Sequence, residues 1–448
     1  MDQLTGPTPV IFGMSPAWVA AIIFALTYAL IIAERINRSI IALLGAGAMI
    51  ISGLLTQDEA IRGIDFNTIA LLTGMMVLVS ISRRCGMFEY LAVWSAKKGR
   101  AQPWAMLAML SVVTAVFSAF LDNVTTVLLI APVTLAVTRE LEVSAYPFLF
   151  AEVFAANIGG TATLIGDPPN IIIGSAASLS FNDFVIHLTP AIVLVMAVQL
   201  VMTHLIWGRY LRAAPQARAR IMALDERSMI VDPPLMHSSL AILGATTAAF
   251  VLARPLHLEP GTIALFAAAL LMLLHNIEHH RDREKQTQKV TATFNDVDWI
   301  TIFFFIGLFV IVHGVDVAGI LDLAARRLLT ATEADPTATA IVILWGSALL
   351  SAIVDNIPFV AAMIPLIKDM APQLGGAEHV APLWWALSLG ACLGGNGTLI
   401  GASANLAVAG IAERAGIAFS FLTYTKYGFG LMLISVVVSN VYLWLRYL

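Results

Sequence analysis

Asp122-Asn123 and Asp355-Asn356 each lie inside an otherwise apolar run, SAFLDNVTTVLLIAPV and SAIVDNIPFVAAMIPL. A carboxylate can carry a proton or hold a cation, and the neighbouring carboxamide supplies a donor and an acceptor. At membrane depth a charge costs at least ~3 kcal/mol. The alternative role is helix capping, at which Asp and Asn both excel, but Ser or Asn alone would cap without the charge. The pattern therefore predicts two functional aspartates, proton-carrying or cation-binding, with Asn123, Thr125 and Asn356 beside them.

A second motif follows each pair. NIGGTATLIGDPPNIIIG runs from Asn157 to Gly174, and CLGGNGTLIGASANLAVAG from Cys392 to Gly410. Thr163, Leu164, Ile165, Gly166 and Asn170 match Thr398, Leu399, Ile400, Gly401 and Asn405 at an offset of 235 residues. Glycines and prolines in mid-span interrupt a helix and free its carbonyls and amides. The restarting helix then points its positive N-terminal end toward the bilayer centre. Asn157, Thr161, Thr163 and Asn170 from one half, and Asn396, Thr398 and Asn405 from the other, become candidate solute or ion contacts. The competing reading is that the glycines only permit close helix packing and the asparagines cap helix ends. Asp167, whose counterpart is Ala402, would add a proton or cation site to the first half alone, or serve as a turn residue before Pro168-Pro169. Glu152 is a further relay candidate. HNIEHH, from His275 to His280, contains a zinc-protease-like H-x-x-E-H pattern without a partner ligand signature. His187, His204 and His313 could lie on a proton path, although lone histidines near helix ends are usually interfacial. The sequence contains neither G-x-S-x-G nor a P-loop, which argues against an esterase or ATPase. No metal site and no resident cofactor are expected.

These groups need elements to hold them. The chain has 448 residues, 59% hydrophobic and 12% charged, against roughly 25% charged in soluble domains. Mean hydropathy is +0.86, and apolar runs of about 17–25 residues recur, as in a polytopic helical membrane protein. Two cysteines suggest neither a disulfide framework nor a thiolate cluster. The net charge of −4 comes without a basic tail for nucleic acid. No basic segment precedes the first apolar run, so residues 16–32 read as a retained span. Further spans are predicted near 38–55, 65–82, 146–178 (broken), 183–208, 237–253, 260–277, 297–313, 381–416 (broken) and 423–445.

The halves repeat. Asp65, Thr68, Gly74, Gly86, Ser118 and Pro132 recur as Asp298, Thr301, Gly307, Gly319, Ser351 and Pro365, all 233 residues later. Segments 103–138 and 337–371 are too long for one span and too short for two with a loop. Each is read as a re-entrant hairpin with its Asp-Asn pair at the tip; the alternative is a long broken span. Segments 85–98 and 317–329 read as interfacial amphipathic helices. Residues 1–208 form the first repeat, 209–236 a cytoplasmic linker and 237–448 the second. Five crossings per half make the second half inverted in the membrane. Basic residues near 33–37, 83–102, 209–236 and 278–296 place these loops inside and both termini outside. HHRDREKQTQK, 279–289, reads as a solvated loop.

FLDNVTTVLLIAPV, GGTATLIGDPPNIIIG, VDNIPFVAAMIPL and GGNGTLIGASANL together resemble the ArsB/NhaD family of the ion transporter superfamily. That family holds arsenite permeases, sodium/proton antiporters and the P protein, and its layout is similar to that of the divalent-anion:sodium symporters. The resemblance implies a scaffold domain and a moving transport domain in an elevator-type architecture, usually a homodimer in a plasma (inner) membrane. A soluble ATPase subunit could dock on the cytoplasmic loops. In the anion symporters the hairpin tips carry Ser-Asn-Thr; here Asp122-Asn123-Val124 and Asp355-Asn356-Ile357 add negative charge where a dicarboxylate would sit.

The favoured expectation is proton-coupled efflux of arsenite or antimonite. Uncharged As(OH)3 and Sb(OH)3 suit Asn, Thr and Asp contacts, and Asp122 and Asp355 would exchange the protons. A sodium/proton antiporter uses the same carboxylates with Na⁺ as the competing ion. A passive channel and a membrane enzyme are the alternatives from other classes.

Overall fold

The computed structural model describes residues 13–33, 35–277, 282–376 and 379–448. Every regular element among them is helical. The His275–His280 pattern falls partly outside: Glu278, His279, His280 and Arg281 are not among the described residues.

Seven described helices are long and apolar enough to cross a bilayer singly: Phe66–Cys85, Pro103–Phe120, Thr189–Gly208, Pro233–Val251, Trp299–Val317, Asn356–Leu374 and Phe421–Tyr447. This set differs from the ten crossings expected. Pro16–Ile32, Arg38–Ile51 and Pro260–Asn276 are apolar but shorter. The two broken elements are each divided into short helices, Tyr146–Thr161 with Pro168–Ala177 and Ala381–Gly394 with Ser403–Arg414. Pro103–Phe120 and Asn356–Leu374 belong to the helix–turn–helix segments. Each of these arms has the length of a span, so the length argument alone could not identify re-entrance.

The segment from 103 folds as Pro103–Phe120 and Asn123–Glu140, and the segment from 336 as Pro336–Ser351 and Asn356–Met370. Asp122 and Asp355 sit at the N-caps of the returning helices, where they accept from Thr125 N at 2.8 Å and Ile357 N at 3.1 Å. The capping role weighed from sequence is thus real, and the chain breaks where a short polar side chain can replace a helical carbonyl. Each segment follows a helix, Met87–Lys98 or Ile320–Ala331, preceded by a left-handed glycine. Gly86 has φ +84° and Gly319 φ +74°, the turn that redirects the chain out of the preceding span. Ile320–Ala331 meets Pro336–Ser351 at 117°.

Residues 279–289 depart from the expected loop, because Arg283–Asn295 is a helix. Asp282 caps it through Lys285 N at 3.1 Å, and its interior lacks Pro and Gly. The 209–236 stretch likewise contains a helix, Pro215–Ala223. Gln57–Gly63, with a Thr56–Glu59 capping box, was not anticipated.

The halves interlock. Phe66–Ser82 packs against Pro260–Asn276, and Trp299–Val317 against Arg38–Ile51. A Cβ on Gly74 would lie 2.6 Å from the Ala264 backbone, and one on Gly307 2.6 Å from the Ala42 backbone. These glycines let the four helices form a tight frame, with Ala42 and Ala264 in equivalent places. Inside the other group of helices the halves cross over. Asn123–Glu140 packs on Ser403–Arg414, and Asn356–Met370 on Pro168–Ala177. Each hairpin therefore leans on the broken helix of the opposite half.

Candidate functional site

The breaks are closed by matching side chains. Asn170 Nδ2 donates to Thr161 O at 3.1 Å and Thr163 O at 2.9 Å; Asn405 Nδ2 donates to Gly395 O at 2.8 Å and Thr398 O at 2.9 Å. Thr163 Oγ1 donates to Ala119 O and Thr398 Oγ1 to Ala352 O, both at 2.5 Å. Ser118 and Ser351 donate to Ala156 O and Ala391 O at 2.6 Å. Carbonyls freed by unwinding are thus satisfied within the protein, and each hairpin tip is fastened to the break of its own half. The tips consequently stand at the level of the breaks.

From the first tip to the second break runs a buried amide chain. Asn123 Nδ2 donates to Asn157 Oδ1 at 2.9 Å, and Asn157 Nδ2 donates to both Asn396 Oδ1 and Asn405 Oδ1 at 2.9 Å. Asn157, Asn396 and Asn405 are fully buried, and Asn123 nearly so. The structure therefore brings Asn123, Asn157, Asn170, Asn396 and Asn405 together with both breaks. It gives Thr161, Thr163, Thr398, Asn170 and Asn405 stitching bonds to backbone; Thr161 Oγ1 donates to Asn157 O at 2.7 Å. Thr125 donates its hydroxyl to Asp122.

Several buried polar groups at the breaks lack a partner at hydrogen-bond length. Asp167 is 1% exposed and neither carboxylate oxygen has one, although Cys392 and Asn356 stand close enough to interact with it; Asn356 Nδ2 and Asn396 Nδ2 likewise have none. Groups of this kind cost about 1–3 kcal/mol each, more when charged, so they mark places where a proton, ion or solute completes the site. Glu152 is equally buried; Thr134 donates to one of its oxygens and the other is unpartnered. It tethers Asn123–Glu140 to Tyr146–Thr161 and does not line the cavity at Asp122. The histidines also lie elsewhere. His187 bonds Tyr447 and stacks on Trp385, and His204 packs on Trp104.

Beside the first tip is a cavity of about 160 Å³, lined by Asp122, Thr125, Asp298, Thr301, Arg38 and Ser403 among others. A cleft of about 400 Å³ flanks the second tip, with Asp355, Arg35, Arg38 and Ser403 on its walls. Arg38 is the functional candidate that sequence reasoning missed. Its Nη1 lies 2.9 Å from Asp355 Oδ2 and donates to Ser403 Oγ at 2.7 Å, while Nη2 donates to Thr301 Oγ1 at 3.2 Å. The guanidinium also lies 5.0 Å from the Phe304 ring centroid. In sequence Arg38 is one more basic residue at a span end, and nothing local ties it to a carboxylate 317 residues away. Asp298 and Thr301 were visible only as repeat positions.

Asp122 shares a cavity with Leu72, Met76, Val79, Ser80 and Arg83, from the middle of Phe66–Ser82 to its C-terminal end. Asp355 faces Arg38 and Ile300, at the same end of the frame. At the opposite end, Asp65, His313 and Asp316 meet Ser175 and Lys368, far along the elements that lead from the tips. The cavities beside the two tips thus reach the end of the frame that bears Arg38 and Arg83.

Apolar helices, paired breaks and a buried polar centre are the layout of a multi-pass membrane transporter. The chain belongs to the citrate transporter family (CitMHS), whose pattern matches residues 28–390. It is 42% identical over 433 residues to an uncharacterized transporter of Mycobacterium tuberculosis, covering 96% of this chain and 98% of that one. The human P protein is 34% identical over 508 residues, covering 95% of this chain and 59% of the P protein. In fold the chain is similar to the Alcanivorax borkumensis YdaH transporter, with a TM-score of 0.61 at 14% identity over 96% of this chain and 99% of that one. The comparisons reach the citrate transporter family and its wider superfamily, not the narrower ArsB/NhaD placement expected from the motifs.

Proposed function

We propose that the protein exports a small uncharged inorganic solute, arsenite or antimonite, in exchange for protons, by sliding the crossed unit along the frame. The observation that carries this reading is the Asp167 carboxylate, buried with no cation paired to it and with only the neutral Asn356 and Cys392 close enough to interact. A carboxylate in that setting is far cheaper protonated than charged. Protonation and release of Asp167 and Asp122 then provide the coupling, and Asn356 and Asn396 offer open N–H donors to solute hydroxyls. The reach of both tip cavities to one end of the frame supports movement. An inverted repeat gives the unit a second, mirrored resting place near Asp65 and His313, and alternation between the two is alternating access. With the arginine-rich end in the cytoplasm, both termini lie outside, the membrane is the plasma membrane and the observed state faces inward.

Citrate, the solute in the family's description, suits the site less well. A tricarboxylate needs several free cations, whereas Arg38 is paired with Asp355, and Arg83 and Arg84 with Asp296; of the arginines on these cavity walls, Arg35 alone is outside an ion pair among the described residues, one cation for three carboxylates. Sodium is the second reading, favoured by the bare oxygens of Asp167, which a cation would fill. The test is a proteoliposome assay with an imposed pH gradient, challenged separately with arsenite, antimonite, Na⁺, Li⁺ and citrate. Arsenite or antimonite should dissipate the gradient. Dissipation by Na⁺ alone would replace this reading with sodium/proton exchange, and dissipation by citrate alone would overturn the charge argument.

A further inference from the structure

Arg38 joins two bodies that the proposed cycle moves apart. It stands at the start of Arg38–Ile51 in the frame, beside Thr301 and Phe304 of Trp299–Val317. Its other contacts, Asp355 and Ser403, belong to the second hairpin tip and the second broken helix. The Arg38 and Asp355 side chains are 26% and 15% exposed, so the pair is screened far less than a surface bridge. The repeat does not reproduce it. Ala42 and Ala264 occupy matching places against Gly307 and Gly74, which makes Pro260 the counterpart of Arg38. In the mirrored resting place Asp122 would meet a proline; the guanidinium that lines the cavity beside Pro260, Arg254, is on a different helix, 74% exposed and 3.7 Å from Asp183.

We propose that Arg38 is a positioning residue of transport, an internal cation that occupies Asp355 only at the arginine-bearing end. The unit leaves that end once a proton or solute has taken Asp355 from Arg38. This rests on the reading that the crossed unit slides. An empty, deprotonated unit is held, because moving it strands the Asp355 carboxylate in a poorly solvated tip, and breaking such a pair costs more than the pair contributes. The bond thus opposes a futile return stroke from one side only. The charged groups around the pair are Arg35, Arg83, Asp122, Asp296 and Asp298 on the cavity walls, with Asp167 close enough to interact with Asp355. Arg83 is bridged to Asp296 and Arg35 lines the cleft without bonding Asp355, so Arg38 is the cation that answers it.

The experiment compares wild type, Arg38→Met, Arg38→Lys and Arg38→Met/Asp355→Asn in proteoliposomes. Each carries Met76→Cys and Leu128→Cys, which face the same cavity from frame and hairpin. A short bis-thiosulfonate cross-linker reports occupancy of the observed state between pH 8 and 5.5, with and without arsenite, and an entrapped dye reports proton leak without solute. In wild type, acid or arsenite lowers cross-linking. Arg38→Met should lower it at pH 8 without either, with a shift of about tenfold in the equilibrium, about 1.4 kcal/mol. Its proton leak should rise about tenfold. Arg38→Lys should fall between, and the double variant, which lacks both partners of the bond, should show the same low cross-linking at pH 8 as Arg38→Met. If Arg38→Met does not fold, Arg38→Lys carries the same test. Variants within twofold of wild type in cross-linking and leak overturn the proposal while leaving sliding intact. Wild-type cross-linking that ignores both pH and arsenite overturns sliding itself, and the proposal with it.

Discussion

Asn157→Ala isolates the amide chain that binds the two halves. The change removes one acceptor and two donors, leaving Asn123 Nδ2, Asn396 Oδ1 and Asn405 Oδ1 facing a void. Interhelical hydrogen bonds in membrane proteins average ~0.6 kcal/mol each, with a maximum near ~1.7, so three give about 2 to 5 kcal/mol. The upper half of that range is expected because Asn157 is fully buried and orphaned partners cost about 1–3 kcal/mol each. The assay is thermal unfolding in detergent, followed by intrinsic fluorescence, for Asn157→Ala, Asn405→Ala and the double variant. The single changes should each lower Tm clearly. The double change should lower it by less than their sum, since both remove the same bond. Thr161→Val, which removes a bond to backbone one turn away in the same helix, should cost less than Asn157→Ala. An Asn157→Ala protein that melts within a degree of wild type, or strict additivity with Asn405→Ala, would refute the claim that this side chain joins the halves.

Asp167→Asn should fold at least as well as wild type, because an uncompensated buried carboxylate becomes a neutral amide. Its pH-driven transport should nevertheless fall at least tenfold, and retained coupling in the proteoliposome assay would remove Asp167 from the proton path. Asp296 lies outside the spans, bridged to Arg83 and Arg84 at 2.7 and 2.8 Å. Burial pushes its carboxyl up, but Arg84, Ser80 and Arg83 outweigh burial and hold it below its ordinary value. A lowered folded-state value gives stability that is present above the unfolded pKa near ~3.9 and lost as pH falls through the folded value. Asp296→Asn should therefore cost about 1 kcal/mol or less at pH 7, given partial exposure. The same loss should persist at pH 5 and shrink below about pH 4, as melting curves across pH would register.

Composition, apolar run lengths and the 233-residue repeat determined an all-helical membrane protein of two related halves, because hydrophobicity and repetition are local properties that survive in one dimension. Asp122 and Asp355 as hairpin tips, and Gly-rich breaks with a helix restarting near Asn170 and Asn405, were legible for the same reason: a charge or a Gly-Pro run inside an apolar stretch is visible without knowing its neighbours. Which polar groups remain open was decided only in three dimensions. Thr163 and Thr398 looked like solute contacts, yet their hydroxyls close backbone gaps at the tips. Glu152 resembled a relay residue, but folding placed it on a helix contact away from the cavity. The charged stretch 279–289 reads as a loop, although a good cap and uninterrupted propensity make residues 283–289 the start of the helix Arg283–Asn295. Arg38 gave no signal at all, because an ion pair spanning 317 residues exists only once hairpin and frame are packed. The chain wrote its chemistry into its residue types, and the packing of one half against the other decided which of those residues kept a hand free.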